Sequence, residues 1–134
     1  MIINIFGSTG IIGIKTLKII DDYFPKIQIN LLVANTNYNL LIKQVKLYKP
    51  KFVYLNDKSN IVKLQKKISR STKIFSFEDL TNYLYNSKSH FTILAISGYK
   101  SLYYLEQIIF NTTNLGLVSK ESIVSAGHLF KKKN

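Results

Sequence analysis

Three glycines at three-residue spacing follow the first apolar run of the chain: Ile2-Ile-Asn-Ile-Phe6, then Gly7-Ser-Thr-Gly10-Ile-Ile-Gly13. This is how a chain leaves a buried parallel strand, turns tightly and points the first turn of a helix at an anion. The spacing is a relative of the Gly-x-Gly-x-x-Gly turn, in which each glycine has its own task. Gly7 permits the sharp exit from the strand. Gly10 lets the backbone approach a diphosphate with no Cβ in the way, and Gly13 allows close contact between helix and strand. The N–H groups of residues 10–12 and the positive helix end favour the anion, and the hydroxyls of Ser8 and Thr9 are further candidate donors. A βα turn without a ligand would use the same glycines, but their place directly after the first strand favours a nucleotide.

The apolar pattern downstream alternates between strand and helix. Residues 2–6 read as a buried strand and residues 10–23 as a helix with Gly13, Leu17, Ile20 and Phe24 on one face, stopped by Pro25. Residues 27–34 form a second strand, and residues 38–48 a helix with Leu41, Val45 and Tyr48 on one side, broken at Lys49-Pro50. Residues 52–55 are a third strand. Asp57 or Ser59 can cap a helix to about residue 69, and residues 73–76 read as a short strand. Ser76-Phe-Glu-Asp79 resembles a capping box opening a helix to about Asn86. Residues 91–96 are a strongly apolar strand, 100–111 a helix, 115–118 a last strand and 121–133 a last helix. Strands alternating with helices predict an α/β fold of Rossmann-like, doubly wound type: a mostly parallel sheet with helices on both faces. Residues 1–134 read as one domain.

The second strand ends Val33-Ala34-Asn35-Thr36-Asn37, with no acid. A carboxylate here would bind a ribose 2′-hydroxyl and repel a 2′-phosphate, so its absence favours NADP over NAD. No Lys or Arg stands in this turn to pair with that phosphate.

A net charge of +12 invites a nucleic-acid reading. Eighteen of the 19 basic residues are lysine, however, and they are spread along the chain, whereas base and phosphate recognition favour arginine's planar fork. With 19 Ile, 12 Asn and no Trp, the excess lysine fits AT-rich coding and solvated faces, so no nucleic-acid partner is expected. No apolar run is long enough to span a bilayer, and no signal peptide is legible, so neither a membrane partner nor export is expected and the cytoplasm is the default location. The absence of cysteine excludes disulfides and thiolate metal sites. The seven acids are scattered, form no hard-metal cluster, and no metal ligand or catalytic residue is assigned. His90 and His128 stand alone and read as surface or structural residues.

Ser119-Lys120-Glu121-Ser122 follows the last expected strand, at the carboxyl end where open α/β sheets bind ligands. On its own it also fits a solvated lysine and an acid favoured by a helix dipole. Together with Gly7–Gly13, Leu32–Asn37, Ala95–Gly98 and the stretch from Leu117 to Phe130, in this order and spacing, the chain resembles the N-terminal domain of the 1-deoxy-D-xylulose 5-phosphate reductoisomerases. The resemblance covers essentially the whole chain. It implies an oxidoreductase of non-mevalonate isoprenoid biosynthesis, one that rearranges and reduces a phosphorylated sugar to 2-C-methyl-D-erythritol 4-phosphate. It also implies NADPH and a Mg or Mn ion as cofactors, and a homodimer in the full-length family.

Carried over position by position, the resemblance assigns Gly7, Thr9, Gly10, Ile11, Ile12, Asn35, Thr36, Asn37, Ser119 and Glu121 to the cofactor and Lys120 to substrate. Ile11 stands where the family usually has serine and keeps only the backbone part of that role. Asn35 replaces a glycine, Thr36 a frequently basic residue and Ser119 an asparagine. The family's metal-binding acids and most of its substrate phosphate contacts lie beyond position 134, so the catalytic and C-terminal domains are expected outside this chain and these residues alone are expected to be inactive. Lys131-Lys132-Lys133-Asn134 would be encoded by a run of adenines, a place where reading frames slip. Two alternatives stay open at this level: the first domain of another NAD(P)-dependent oxidoreductase, and a nucleotide-binding module without catalysis.

Overall fold

A computed structural model describes residues 1–96 and 102–117. In chain order the elements are β1 (Ile2–Phe6), α1 (Ile11–Tyr23), β2 (Gln28–Ala34), α2 (Tyr38–Tyr48), β3 (Phe52–Leu55), a 3-10 turn (Lys58–Asn60) running into α3 (Ile61–Lys67), β4 (Lys73–Ile74), α4 (Phe77–Asn86), β5 (Ser89–Leu94), α5 (Leu102–Asn111) and β6 (Thr112–Leu117). The strands form one sheet in the order β4-β3-β2-β1-β5-β6, and every neighbouring pair is parallel.

Period-two side-chain alternation divides this sheet between two cores. Ile3 and Ile5 of β1 face one way with Val53 and Leu55 of β3, against Leu17 and Ile20 of α1, Leu41 and Val45 of α2 and Leu64 of α3. Phe6, Leu31, Val33, Tyr54 and Leu94 face the other way, against Leu80 and Leu84 of α4 and Leu105, Ile108 and Ile109 of α5. The chain therefore winds outward from β1 to β4 with its helices on one face. It then crosses under α4 to β5 on the other side of β1. Strand order reverses at β1/β5, and such a reversal opens a crevice beyond the carboxyl ends of the strands.

Local signals explain most boundaries. Ser76 Oγ accepts from the Asp79 N–H at 3.1 Å while Asp79 Oδ2 accepts from the Ser76 N–H at 3.0 Å, the reciprocal box that starts α4. Asp57, the capping alternative to Ser59, accepts from the Ser59 N–H at 3.1 Å and opens the 3-10 turn rather than one continuous helix. Phe24 departs from expectation: it follows α1 and is 53% exposed, outside the core stripe.

β5 and β6 begin earlier than their apolar runs, at Ser89 and Thr112. The cause is a buried polar network that lets polar residues enter the sheet. Ser89 Oγ donates to Asn111 Oδ1 at 2.6 Å, and Asn4 Nδ2 to the same oxygen at 3.4 Å. The Tyr83 hydroxyl donates to Asn4 Oδ1 at 3.0 Å and accepts from Asn30 Nδ2 at 2.6 Å. β4 spans only Lys73–Ile74, shorter than expected because Ser76 already caps the next helix; Phe75 between them still makes a ladder bond to the Val53 carbonyl. The expected helix at 121–133 lies outside the described residues. Among the described residues no helix is long and apolar enough to cross a membrane. Every described lysine, like Arg70, is exposed.

Candidate functional site

The glycine turn sits at the strand-order reversal. Gly7 has φ +87°, a left-handed conformation, and a Cβ there would lie 2.6 Å from the Ala95 carbonyl oxygen at the end of β5. The N–H groups of Gly7 and Ser8 both donate to the Val33 carbonyl, at 2.8 and 3.1 Å, which ties the turn to the end of β2. A Cβ on Gly13 would overlap the Gly7 carbonyl oxygen and lie 2.7 Å from Ser8 Cα. Gly13 therefore lets α1 press against the loop that precedes it.

Gly10 is the N-cap of α1, with φ −82° and no side chain to cap the helix. A Cβ at Gly10 would meet only ordinary contacts, the nearest 3.5 Å away. The fold itself does not demand glycine here, whereas a ligand lying on the turn would. The Gly10 N–H is already bonded to the Gly7 carbonyl at 3.1 Å, which corrects the expectation that it is free for an anion. Among the described residues the N–H groups of Thr9, Ile11 and Ile12 have no partner. No acid occupies the first turn of α1 to compete for them.

The glycine turn borders a cavity of about 480 Å³, within the range of small-molecule sites. Gly7, Thr9 and Gly10 form one wall, and Val33, Ala34 and Asn35 the wall at the end of β2. Ile11, 74% exposed, and Ile12 stand at the surface beside the turn, outside the lining. Ser8 is fully buried and does not line the cavity, so its hydroxyl is not a donor there, against expectation. Ser8 is enclosed beneath the turn, whereas Thr9, the next residue, lines the crevice.

At the end of β2, Asn35 Oδ1 accepts from Asn56 Nδ2 at 3.0 Å, leaving its own amide donor available. The backbone of the next loop is joined to this turn, Asn56 N–H to the Ala34 carbonyl at 3.0 Å and Asp57 N–H to the Asn35 carbonyl at 2.9 Å. The Asp57 carboxylate is engaged by the Ser59 hydroxyl and the Asn60 amide, each at 2.6 Å, and these bonds hold it below the usual aspartate range. Thr36 and Asn37 lie outside the cavity lining. Asn37 Oδ1 caps α2 by accepting from the Leu40 N–H at 3.1 Å, so its oxygen is committed to the helix.

Six lining residues are not among those expected from sequence: Val33, Ala34, Asn56, Phe77, Ile96 and Tyr104. Asn56 and Ile96 follow β3 and β5, and the rule that ligands sit beyond strand carboxyl ends would have found them. Phe77 at the start of α4 and Tyr104 in α5 reach the crevice only because α4 and α5 pack on the second face. Ser119, Lys120 and Glu121 lie outside the described residues. Among the described residues no three His, Cys, Asp or Glu side chains could hold a metal ion together.

A glycine turn at the reversal point of an all-parallel, doubly wound sheet defines a Rossmann-like domain of the nucleotide-binding class. Residues 3–127 match the family model of 1-deoxy-D-xylulose 5-phosphate reductoisomerase, and the chain belongs to that family. The reductoisomerase of Pelagibacter ubique (strain HTCC1062) is 39% identical over 133 residues, and that of Wigglesworthia glossinidia brevipalpis 34% identical over 136. Those alignments cover 97% and 98% of this chain and 34% of each relative, so the chain spans about a third of their length. The solved Zymomonas mobilis reductoisomerase in complex with NADPH superposes with a TM-score of 0.81 at 28% identity, over 96% of this chain and 34% of that one. A reductoisomerase structure in complex with NADPH, fosmidomycin and magnesium matches the fold with a TM-score of 0.84 at 24% identity, over 98% of this chain and 33% of that one.

Proposed function

We propose that this chain is the NADPH-binding domain of a reductoisomerase that converts 1-deoxy-D-xylulose 5-phosphate to 2-C-methyl-D-erythritol 4-phosphate. The observation that carries the reading is the unpaired N–H of Thr9, which lines the cavity, followed by the unpaired N–H groups of Ile11 and Ile12 in the first turn of α1. They suit a diphosphate, with Gly10 leaving the approach clear. Asn35 and Asn56, both uncharged, suit the adenosine end and impose no repulsion on a 2′-phosphate. Ala34, Val33 and Ile96 supply apolar contact deeper in the crevice. The NADPH bound to the Zymomonas relative supports the same ligand class for this chain.

NADPH supplies the hydride for the reduction. The residues of this chain bind the coenzyme's phosphates and fix the direction in which it lies across the sheet. On the motif alone, Lys120 is assigned to the anionic substrate and Ser119 and Glu121 to the coenzyme. A divalent metal, a phosphorylated sugar substrate, a homodimeric assembly and a cytoplasmic location complete the proposal for the full-length enzyme. Calorimetric titration of the folded chain with NADPH tests the central claim. Saturable heat that a Gly10→Asp variant abolishes is the expected result. No heat at millimolar coenzyme, with the variant behaving identically, overturns it.

A further inference from the structure

We propose that Gln44 of α2 is a positioning residue for the glycine turn: by holding the Ser8 carbonyl from the protein interior, it turns the Thr9 N–H into the cofactor cavity. The inference rests on the reading of that cavity as a dinucleotide site. Gln44 Nε2 donates to the Ser8 carbonyl oxygen at 2.7 Å, and both residues are buried. Only the amide nitrogen can donate to a carbonyl, so the chemistry sets the orientation of the Gln44 amide.

Ser8 and Thr9 share a trans peptide, in which the C=O and N–H point in opposite directions. Fixing the Ser8 oxygen toward buried Gln44 therefore aims the Thr9 N–H the other way. Thr9 lines the cavity and Ser8 does not. The turn's own bonds consume the N–H groups of Gly7, Ser8 and Gly10 and leave that of Thr9 unpaired among the described residues. Gln44 thus sets the one loop donor, ahead of the helix, that a phosphate oxygen can take.

Packing does not account for glutamine at this position. The other buried side chains of α2 are Leu41, Ile42 and Val45. Gln44 Oε1 and Ser8 Oγ are buried and unpartnered among the described residues. A half-satisfied amide is a costly choice for filling a core, where an apolar residue of equal length would serve. Orienting a peptide is a task an apolar residue cannot do.

The test uses the full chain, Gln44→Met, and two ligands. Methionine keeps the length of the side chain and removes the donor. NADPH carries the diphosphate, and adenosine 2′-monophosphate lacks it. The expected result is an NADPH dissociation constant raised about tenfold, with that of adenosine 2′-monophosphate unchanged within about twofold. Equal weakening of both ligands would mean general loosening and would overturn the proposal, as would an unchanged NADPH affinity. Wild-type protein that binds neither ligand would instead overturn the dinucleotide reading itself. Backbone amide spectra of the wild-type chain titrated with inorganic pyrophosphate provide a measurement that does not depend on the variant folding. A shifted Thr9 resonance is expected, and shifts at Ile11 and Ile12 without one at Thr9 would overturn the role of Gln44 alone.

Discussion

Gly13 and Gly7 are in such close contact that a single methyl group on Gly13 would overlap the Gly7 carbonyl oxygen. The turn is thereby wedged between β5, which Gly7 touches, and α1, which Gly13 brings in. Replacing Gly13 by alanine gains about 1 kcal/mol of helix propensity. It also forces α1 away from a backbone held by two hydrogen bonds to Val33. Overpacking against fixed backbone dominates, and Gly13→Ala is expected to destabilise the fold by about 2 kcal/mol net. Urea unfolding followed by far-UV circular dichroism measures it, and a variant as stable as wild type would refute the wedge.

Gly10→Ala separates ligand demand from fold demand. The alanine Cβ finds ordinary contacts, and φ −82° suits any residue. The fold should lose no more than about 1 kcal/mol, the effect of a poorer N-cap. NADPH affinity, by contrast, should fall at least about tenfold, because the methyl group stands where the diphosphate approaches. Paired melting and titration curves on one preparation distinguish this from Gly13→Ala, which should lose stability first.

The legible parts of the fold were those whose signal is local. Leu41 and Val45 at helical spacing ahead of Lys49-Pro50 delimit α2, and Ser76 with Asp79 announces α4. The starts of β5 and β6 were hidden because Ser89 and Thr112 are polar by composition. They are buried by virtue of partners distant in sequence, among them Asn111 for Ser89. The same division runs through the site. The glycine turn is a contiguous motif and could be read directly. Which of its residues face the cavity could not: Ser8 and Thr9 look alike in sequence, yet Thr9 lines the cavity and Ser8 is buried away from it. Gln44 did leave a trace, a polar residue three positions after Leu41 on the apolar face of α2, but its meaning depends on which carbonyl lies opposite.

Tyr83 joins three elements through one hydroxyl, donating to Asn4 of β1 and accepting from Asn30 of β2. Burial raises its pKa above the ordinary tyrosine value, against the opposing pull of the Asn30 and Asn4 hydrogen bonds. Tyr83→Phe keeps the ring packing against Phe52 and Phe75 but strands two buried amides. A loss of about 1–3 kcal/mol is expected. Denaturant titration at neutral pH checks it, and a neutral substitution would show that the network is replaceable.

Acid should weaken the start of α4. The Asp79 carboxylate is held below its ordinary value of 3.8, first by the Ser76 backbone N–H and then by the Ser76 side chain. A depressed folded-state pKa means that the unfolded chain binds more protons in this range, so the contribution is present above pH 3.8 and is lost as pH falls through the lower folded value. Asp57 is shifted in the same direction and adds a slope of the same sign. Asp79→Asn should therefore flatten, without abolishing, the fall in stability below pH 3.8, as read from unfolding midpoints across acidic buffers. Ser76→Ala should cost about 1 kcal/mol at neutral pH. An acid slope unchanged in Asp79→Asn would place the proton-sensitive group elsewhere.

Coenzyme choice is expected to turn on Asn35. Its Oδ1 is occupied by Asn56, so the group it can offer to the cavity is a neutral donor, and the adjoining Thr36 and Asn37 carry no charge of either sign. A phosphate here meets donors and no repulsion. It also gains no cation from the turn, which limits how strongly NADPH is preferred over NADH. Asn35→Asp keeps the shape, still accepts from Asn56 and places a negative charge beside the expected 2′-phosphate. At an effective dielectric of about 20, two unit charges several ångströms apart repel by a few kcal/mol, and solvent at this exposed turn reduces that to about 1–2. NADPH affinity should drop about tenfold while NADH affinity holds or improves, since an acid at this position suits a free 2′-hydroxyl. The ratio of the two dissociation constants, measured at low and high salt, is the decisive quantity. It should invert in the variant and move back toward the wild-type ratio as salt screens the charge. A ratio unaffected by the substitution would put the 2′-phosphate away from the end of β2.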